Sequence, residues 1–375
     1  KKHSFLKSSQ TVSVQMEDLG HVDLPSPVRA DQALRIVQFT DLHHWPAGVT
    51  DFFARGRRIV LEEEGYNASR DVELIAHVLD QVEPDAAIFT GDILDGRPCK
   101  DMSKESFLEV FKEVLAPLNE RNIPWTFVPG NHDDDESPWK REDLLQLFAL
   151  PGCLSAKAKT FNHTFTLGRT PKSTARLWLF DSGGNHPDPK LRYGTFSSES
   201  VEGYKALSAK ASELTPSSVG LAYFHIPLPE YEGHKPVVGV NGLFDAARKG
   251  GKVPFPFSME PFASLIRFLG KDQVAGCSRL NSGIFEAFKE HKNVLACFFG
   301  HDHHSDSIVK VDGIYLGYGR CGGYTPPHDW EGAGGSLPFD HGARVVEVSE
   351  TGKTHTWVTT FSEDQDDHFT FESNI

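Results

Sequence analysis

The chain has no apolar run approaching the roughly 18–20 residues that a membrane-spanning helix requires, so no membrane span is expected. Its first ten residues, Lys1 to Gln10, are polar and lack the apolar segment of a secretory leader. No Met stands at position 1, which suggests a trimmed or mature form. Cysteine is sparse: five residues, at 99, 153, 277, 297 and 321, odd in number and unpatterned. They form no C-x-x-C pair and no disulfide framework, which argues against a thiolate metal cluster or a stapled mini-domain. Cys297 sits inside an apolar strand and reads as a small core residue. Positive charge is in deficit, with 38 Lys and Arg against 52 Asp and Glu and a formal net charge of −14. That balance disfavours a nucleic-acid polymer as partner, because phosphate contacts need clustered bases. A small phosphorylated substrate is compatible with it, since bound cations would reverse the local sign.

With 375 residues, 39% hydrophobic and 24% charged, the chain is long enough for a large α/β core. Residues 1–34 read as an N-terminal arm with at most one edge strand, broken by Pro25 and Pro27. Residues 35–360 read as the main domain. Within it, 35–40, 86–90 and 125–129 are buried strands, separated by amphipathic helices near 72–82 and 104–119. Ser137 and Pro138 suit the N-cap and first position of a helix through Phe148. The second half carries strand signals at 161–167, 176–181, 219–224, 294–299, 308–311, 314–318, 343–348 and 354–359, with a helix near 198–213. Residues 228–283, rich in Gly and Pro with one helical patch near 260–268, are too long for a plain connection and read as an inserted cap. Residues 361–375, with Glu363, Asp364, Asp366 and Asp367, read as a solvated acidic tail.

Chemistry collects at the strand ends. Phe39-Thr40 is followed by Asp41 and His43, Phe89-Thr90 by Gly91-Asp92, and Val128-Pro129 by Gly130-Asn131-His132-Asp133. Tyr223-Phe224 leads to His225, and Phe298-Phe299 to Gly300-His301-Asp302-His303. Residues i and i+2 of an extended segment face one side, so Asp41/His43 and His301/His303 are each expected to aim two side chains into one cleft. Carboxylate oxygens mixed with imidazole suit Mn, Fe or Zn, with Ca as a further option, and not a thiolate site. Asp41, His43, Asp92, Asn131, His225, His301 and His303 are too many ligands for one ion and about right for two sharing a carboxylate. Taken singly, each has a structural explanation: His225 as a satisfied core histidine, Asp92 as a turn residue, the His301–His304 run as surface. Their joint occurrence favours a metal site.

These motifs, in this order and spanning about 260 residues, resemble the calcineurin-like metallophosphoesterase superfamily. The chain is most similar to its purple-acid-phosphatase-like branch of fungi, plants and algae. Supporting stretches are 224–231, 281–285, 317–324 and Arg344-Val345-Val346. The resemblance implies an α/β fold, a two-sheet β-sandwich flanked by helices (α-β-β-α) with two metals at one edge. One metal would be held by Asp41, His43, Asp92 and His303, the other by Asp92 as bridge, Asn131, His225 and His301. A hydroxide between the ions would attack the phosphoryl group, with His132 protonating the leaving oxygen and Asp133 orienting His132. True purple acid phosphatases place a metal-binding Tyr where this chain has Asp95, so the site is expected to be complete but not purple. Asp133 stands where that branch usually has Glu.

The function expected is hydrolysis of small phosphomonoesters, with a phosphodiesterase of cyclic nucleotides or other small diesters as the alternative and a catalytically silent binding scaffold as a third reading. His44, His304, Arg320 and Tyr324, each beside a motif, are candidate substrate contacts. The sequons Asn67-Ala68-Ser69 and Asn162-His163-Thr164, with the missing Met, point to a glycoprotein of the secretory pathway, a cytoplasmic location being the alternative. Oligomeric state is not encoded in any feature above.

Overall fold

The computed structural model describes residues 16–24, 29, 31–46, 49, 51–54, 57–60, 69–214, 218–240, 275–324, 340–362 and 365–372. Strands run in chain order as β1 (Glu17–His21), β2 (Leu34–Phe39), β3 (Asp51–Ala54), β4 (Arg57–Val60), β5 (Ala86–Thr90), β6 (Trp125–Val128), β7 (His163–Gly168) and β8 (Thr174–Leu179). They continue as β9 (Val219–Tyr223), β10 (Pro236–Val238), β11 (Ala296–Phe299), β12 (Ile308–Val311), β13 (Ile314–Tyr318), β14 (Gly342–Val348), β15 (Thr354–Thr360) and β16 (Gln365–Thr370). The helices are α1 (Ser69–Val82), α2 (Lys104–Glu120), α3 (Ser198–Leu214) and α4 (Ile284–His291).

Two sheets carry the fold. One has eight strands in the order β1-β7-β8-β9-β11-β13-β12-β10, the other six in the order β16-β15-β14-β2-β5-β6. Strands β2, β5 and β6 are mutually parallel, as are β8, β9, β11 and β13. Parallel strands covered on both faces read as continuous apolar runs, and β2 shows how one run serves two layers. Leu34 and Ile36 point between the sheets, where they meet Phe165, Leu177, Leu221, Phe298 and Tyr315. Val37 and Phe39 point outward beneath Leu74, Val78 and Leu79 of α1 and Phe111 and Val114 of α2. On the other outer face, Tyr204 of α3 and Phe288 of α4 pack on Trp178, Phe180 and Phe224. The result is the expected α-β-β-α sandwich.

Three regions depart from the sequence reading or fall outside the described residues. The acidic composition of 361–375 conceals a strand: β16 pairs antiparallel with β15 through His355↔Thr370 and Thr359↔Gln365. Phe369 and Phe371 pack on the core between the sheets, so this segment is an edge strand and not a solvated tail. The segment after Ser137 forms a 3-10 helix, Arg141–Ala149, instead of an α-helix from Pro138. Ser137 Oγ accepts the Trp139 N–H within its own turn, which uses up its capping capacity. Of the expected cap, 241–274 lies outside the described residues, including the patch near 260–268. Its flanks belong to the body, with Tyr231 buried and β10 paired to β12.

Candidate metal centre

The parallel strands of both sheets end at one place, and a set of backbone bonds ties their loops together. Asp41 N–H donates to Gly91 O (3.1 Å), His43 N–H to Asp92 O (2.9 Å) and Gly300 N–H to His225 O (3.1 Å). Between the sheets, Gln38 Nε2 donates to Thr90 Oγ1 (2.8 Å) and Phe299 O (3.2 Å). His301 N–H reaches both oxygens of Asp41, at 3.0 and 2.9 Å. Approach this close leaves no room for side chains at two positions. A Cβ at Gly130 would run into the Asp92 carboxylate, and one at Gly300 into Thr40 and Asp41.

The side chains converge by a different device from the one the spacing suggests. Asp41, His43, Asp92 and His301 adopt φ of 53°, 45°, 51° and 80°, so these segments are left-handed turns and not extended pairs. Such backbone costs on the order of 1–3 kcal/mol per non-glycine residue, and the bonds just described hold it in place. Ligand atoms gather in two groups, Asp41/His43/His303 and Asp92/His225/His301, with all atoms of a group within 4.8 Å of one another. His43 Nε2 lies 3.1 Å from His303 Nε2, and His303 Nε2 lies 3.4 Å from Asp41 Oδ1. In the second group His225 Nε2 is 3.1 Å from Asn131 Oδ1 and 3.3 Å from His301 Nδ1.

Asp92 joins the two groups. Its Oδ1 accepts the His132 N–H at 2.7 Å. Its Oδ2 sits 3.4 Å from His43 Nε2 and 3.2 Å from His225 Nε2 and is buried without a hydrogen-bond partner. An orphaned carboxylate oxygen between two imidazole nitrogens is costly unless a cation is shared there. The donor set therefore fits two divalent ions, and metal identity is not fixed by it. Nδ1 of His225 faces Thr90 O at 2.7 Å, which assigns Nε2 as its ligand atom.

Electrostatics of the protein without metal divide the imidazoles into two neutral rings and one that shares a proton with Asp92, the proton a cation would displace. Burial holds His43 and His301 well below the usual imidazole range, as neutral rings able to ligate. Burial also opposes charge on His225, but the adjoining Asp92 outweighs it and pushes this pKa up to about 9. Burial disfavours the Asp92 carboxylate, yet His225, His132 and His43 together hold it well below the ordinary carboxylate value.

His132 borders the first group, its ring 5.2 Å from that of His43. Asp133 does not orient it. The Asp133 carboxylate is buried and turned away, accepting N–H groups from Asp92 (2.9 Å), Ile93 (2.9 Å), Leu94 (3.1 Å) and Gly130 (2.7 Å). It is the clasp between two ligand loops, which removes it from the catalytic set. Asp135 takes the place expected for Asp133, with Oδ2 3.1 Å from His132 Nδ1. Asp95 forks onto Arg97 at 2.8 and 2.6 Å, with one oxygen 4.0 Å from His43 Nδ1.

Two candidate substrate contacts are internal. His44 is fully buried and paired with Asp71 at 3.0 Å. Burial works against its charge, but Asp71 and Glu113 raise its pKa to about 9, making it a cationic brace between the site loop and the first two helices. Arg320, 2% exposed, bonds Asp306 and donates to Asp340 O at 2.7 Å, so it is an interior ion pair. Tyr324 is half-buried, its ring tilted against that of His341 with centroids 3.9 Å apart, and Arg70 lies over it. His304 lies beside His303 with ring centroids 6.5 Å apart.

Residues the motifs did not reveal complete the surroundings. Arg141 binds Asp181 and Asp134 and donates to the carbonyls of Gly130, Pro129 and Gly183, fixing the loop that carries Asn131. Tyr193 packs edge-on against His301, centroids 4.3 Å apart. Nothing in local spacing marks either. Asp135 lay in plain view in the Asp133–Asp135 run, but spacing does not say which carboxylate faces the imidazole.

The sequence profile of the calcineurin-like phosphoesterase family matches residues 34–305, and the chain belongs to that family. Among curated proteins it is similar to probable inactive purple acid phosphatase 28 of Arabidopsis thaliana, 25% identical, with 89% of this chain and 80% of the relative covered. It is also similar to phosphatase DCR2 of Saccharomyces cerevisiae, 26% identical over 86% of this chain and 53% of that protein. Among solved structures, a dimetal phosphatase from Danio rerio shares the fold, with TM-score 0.56, 14% identity, and coverage of 91% of this chain and 100% of that one. Family and fold imply a dinuclear metal site.

Proposed function

We propose that the protein is a dinuclear metal-dependent phosphoesterase acting on small phosphomonoesters. The observation that carries this reading is the shared Asp92 Oδ2, poised between two ligand groups with His132 beside it. Some relatives carry the words "probable inactive" in their names. The reading here rests on this chain's own residues, which include all seven ligands and the histidine.

Two bound cations would neutralise the phosphoryl oxygens and supply an activated water. Asn131 presents its amide oxygen to the second group, its Nδ2 held by Asn185 Oδ1 at 3.3 Å. His132 holds Nδ1 against Asp135 and keeps Nε2 for the leaving oxygen. Burial opposes a proton on His132, while Asp92 and then Asp135 draw its pKa above the ordinary imidazole value, which keeps an acid available near neutral pH. A secretory-pathway location goes with this reading, supported by the sequons. Of the two, Asn162 is half-buried with its oxygen accepting Asp181 N–H at 3.0 Å, and Asn67 lies outside the described residues. No helix among the described residues is long and apolar enough to cross a membrane.

The test is hydrolysis of p-nitrophenyl phosphate and bis-p-nitrophenyl phosphate by chelated protein reloaded separately with Mn, Zn, Fe or Ca. Metal-dependent turnover of the monoester, lost about a hundredfold or more in His132→Ala, is the expected result. Preference for the diester would shift the assignment to a phosphodiesterase. Bound ions without turnover would leave a binding scaffold.

A further inference from the structure

We propose that Arg70, with Tyr324 and His341, forms an anion subsite beside the metal centre, so that the substrate is a phosphomonoester carrying a second anionic group. The proposal rests on the phosphoesterase reading above for its chemistry, but not for the binding it predicts. Arg70 is exposed at the start of α1, its guanidinium over the ring of Tyr324 at 4.4 Å from the centroid. This acidic chain ties several arginines to carboxylates: Arg97 to Asp95, Arg121 to Asp80, Arg141 to Asp181 and Arg320 to Asp306. No carboxylate among the described residues pairs with Arg70, whose neighbour is the aromatic ring.

Topology sets the three residues at the edge where the ligands gather. β2 and β5 are parallel, so α1, which connects them, starts beside the C-terminal end of β2. Tyr324 follows β13, parallel to β11, and His341 precedes β14, antiparallel to β2. Backbone bonds close the gap: Gly323 N–H donates to Asp41 O at 3.1 Å, and Tyr324 N–H to Asp71 Oδ1 at 2.9 Å. One residue step beyond Gly323, plus the reach of the Tyr324 ring, puts the Arg70 head about 8–14 Å from the first ligand group. His341 is close to both: its ring centroid is 3.9 Å from that of Tyr324, and it feels the charges of Arg70 and His303 together.

Two polar groups there lack a partner. His341 is 8% exposed, and its Nδ1 is buried with no hydrogen-bond partner, an arrangement that is unfavourable until something bonds it. Arg70 is the second, a planar fork of donors that suits phosphate or carboxylate oxygens. The acids nearby are already engaged. Asp71 is fully buried between His44 and the Tyr324 N–H, and Asp340, whose charge reaches Tyr324, is bonded to Ser362. A second anion on the substrate would meet Arg70 while the phosphoryl group meets the metals, which selects bisphosphates and phospho-acids over simple esters.

The experiment is isothermal titration of the zinc-loaded full chain with pentylphosphonate and with alkane-α,ω-diphosphonates of four to ten carbons, none of which can be hydrolysed as an ester. Each variant is first checked for zinc content. In wild type the second phosphonate is expected to tighten binding about tenfold at one matching length. That gain should fall below about twofold in Arg70→Gln, survive in part in Arg70→Lys, and stay whole in Arg121→Gln, which removes the same charge at the far end of α2. An ω-carboxyalkylphosphonate of the matching length tells which second group is taken: an equal gain admits carboxylate, a smaller one favours phosphate. In turnover, kcat/KM for fructose 1,6-bisphosphate relative to glucose 6-phosphate should fall about tenfold in Arg70→Gln. No gain at any length, an unchanged gain in Arg70→Gln, or an equal loss in Arg121→Gln would overturn the subsite. Turnover of no phosphate ester would sink the phosphoesterase reading alone, because the diphosphonate affinities still decide for or against Arg70.

Discussion

Exchanging Asp133 for Asn separates two opposed effects of one buried carboxylate. Its oxygens take two N–H groups each, Asp92 and Gly130 on Oδ2, Ile93 and Leu94 on Oδ1. An amide keeps one such oxygen and turns its NH2 towards the other two donors. Two buried N–H groups left unpaired cost about 1–3 kcal/mol each, roughly 4 together. Against this, burial and the neighbouring Asp92 charge push the Asp133 pKa up to about 6. Keeping that carboxylate ionised at neutral pH therefore costs the fold about 3 kcal/mol, which the variant recovers. The net loss in metal-free protein is about 1 kcal/mol. With metals bound, the Asp92 charge is neutralised and the recovered part shrinks, so the loss rises to about 2–3 kcal/mol. For a chain of this length, unfolding entropy of about 0.8 kcal/mol/K converts these to Tm shifts of about 1 °C and about 3–4 °C. Differential scanning calorimetry with chelator and with zinc reads both. By linkage the variant should bind metal about tenfold or more weakly. Equal shifts in the two conditions, or a larger shift without metal, would refute the reasoning.

Elsewhere, burial lowers the His163 pKa to about 4, its ring facing Ser155 Oγ and Thr160 O as a neutral species. The unfolded chain takes up a proton near pH 6.5 and the folded chain does not, so stability should fall by about 2 kcal/mol between pH 7.5 and 5. Urea unfolding of His163→Gln should lack that component. Plasma emission analysis should find two metal ions per chain, near none in Asp92→Ala and about half in His303→Ala. Arg320→Leu strands Asp306 without its main partner and should cost about 3–5 kcal/mol by urea unfolding. The KM of folded enzyme should remain as in wild type, and a raised KM would restore Arg320 as a substrate contact.

The sandwich was legible because its parallel strands are short apolar runs, those of β5, β6, β11 and β13 closed by Gly or Pro, and the ligands because each follows such a run. Side-chain direction in turns was not legible. Asp133, Asp134 and Asp135 are chemically equal in sequence, yet one clasps backbone, one meets Arg141 and one meets His132. His44 and Arg320 stand beside motifs, but left-handed turns and a buried Asp306 send them inward. Proximity in sequence therefore overcounted substrate contacts. In β16, counting acids hid the alternation that puts Phe369 and Phe371 against the core.

Each ligand group draws on both sheets: Asp41 and His43 follow β2 while His303 follows β11, and Asp92 follows β5 while His225 and His301 follow β9 and β11. Bound ions would thus act as rivets through the sandwich, fastening two sheets otherwise joined by apolar contact and a few bonds such as those of Gln38. Their removal would loosen the protein as a book opens, from one edge. Amide exchange should quicken first at the C-terminal ends of β2, β5, β9 and β11 and last at their N-terminal ends, so starvation for metal becomes a question of protein lifetime as well as of activity.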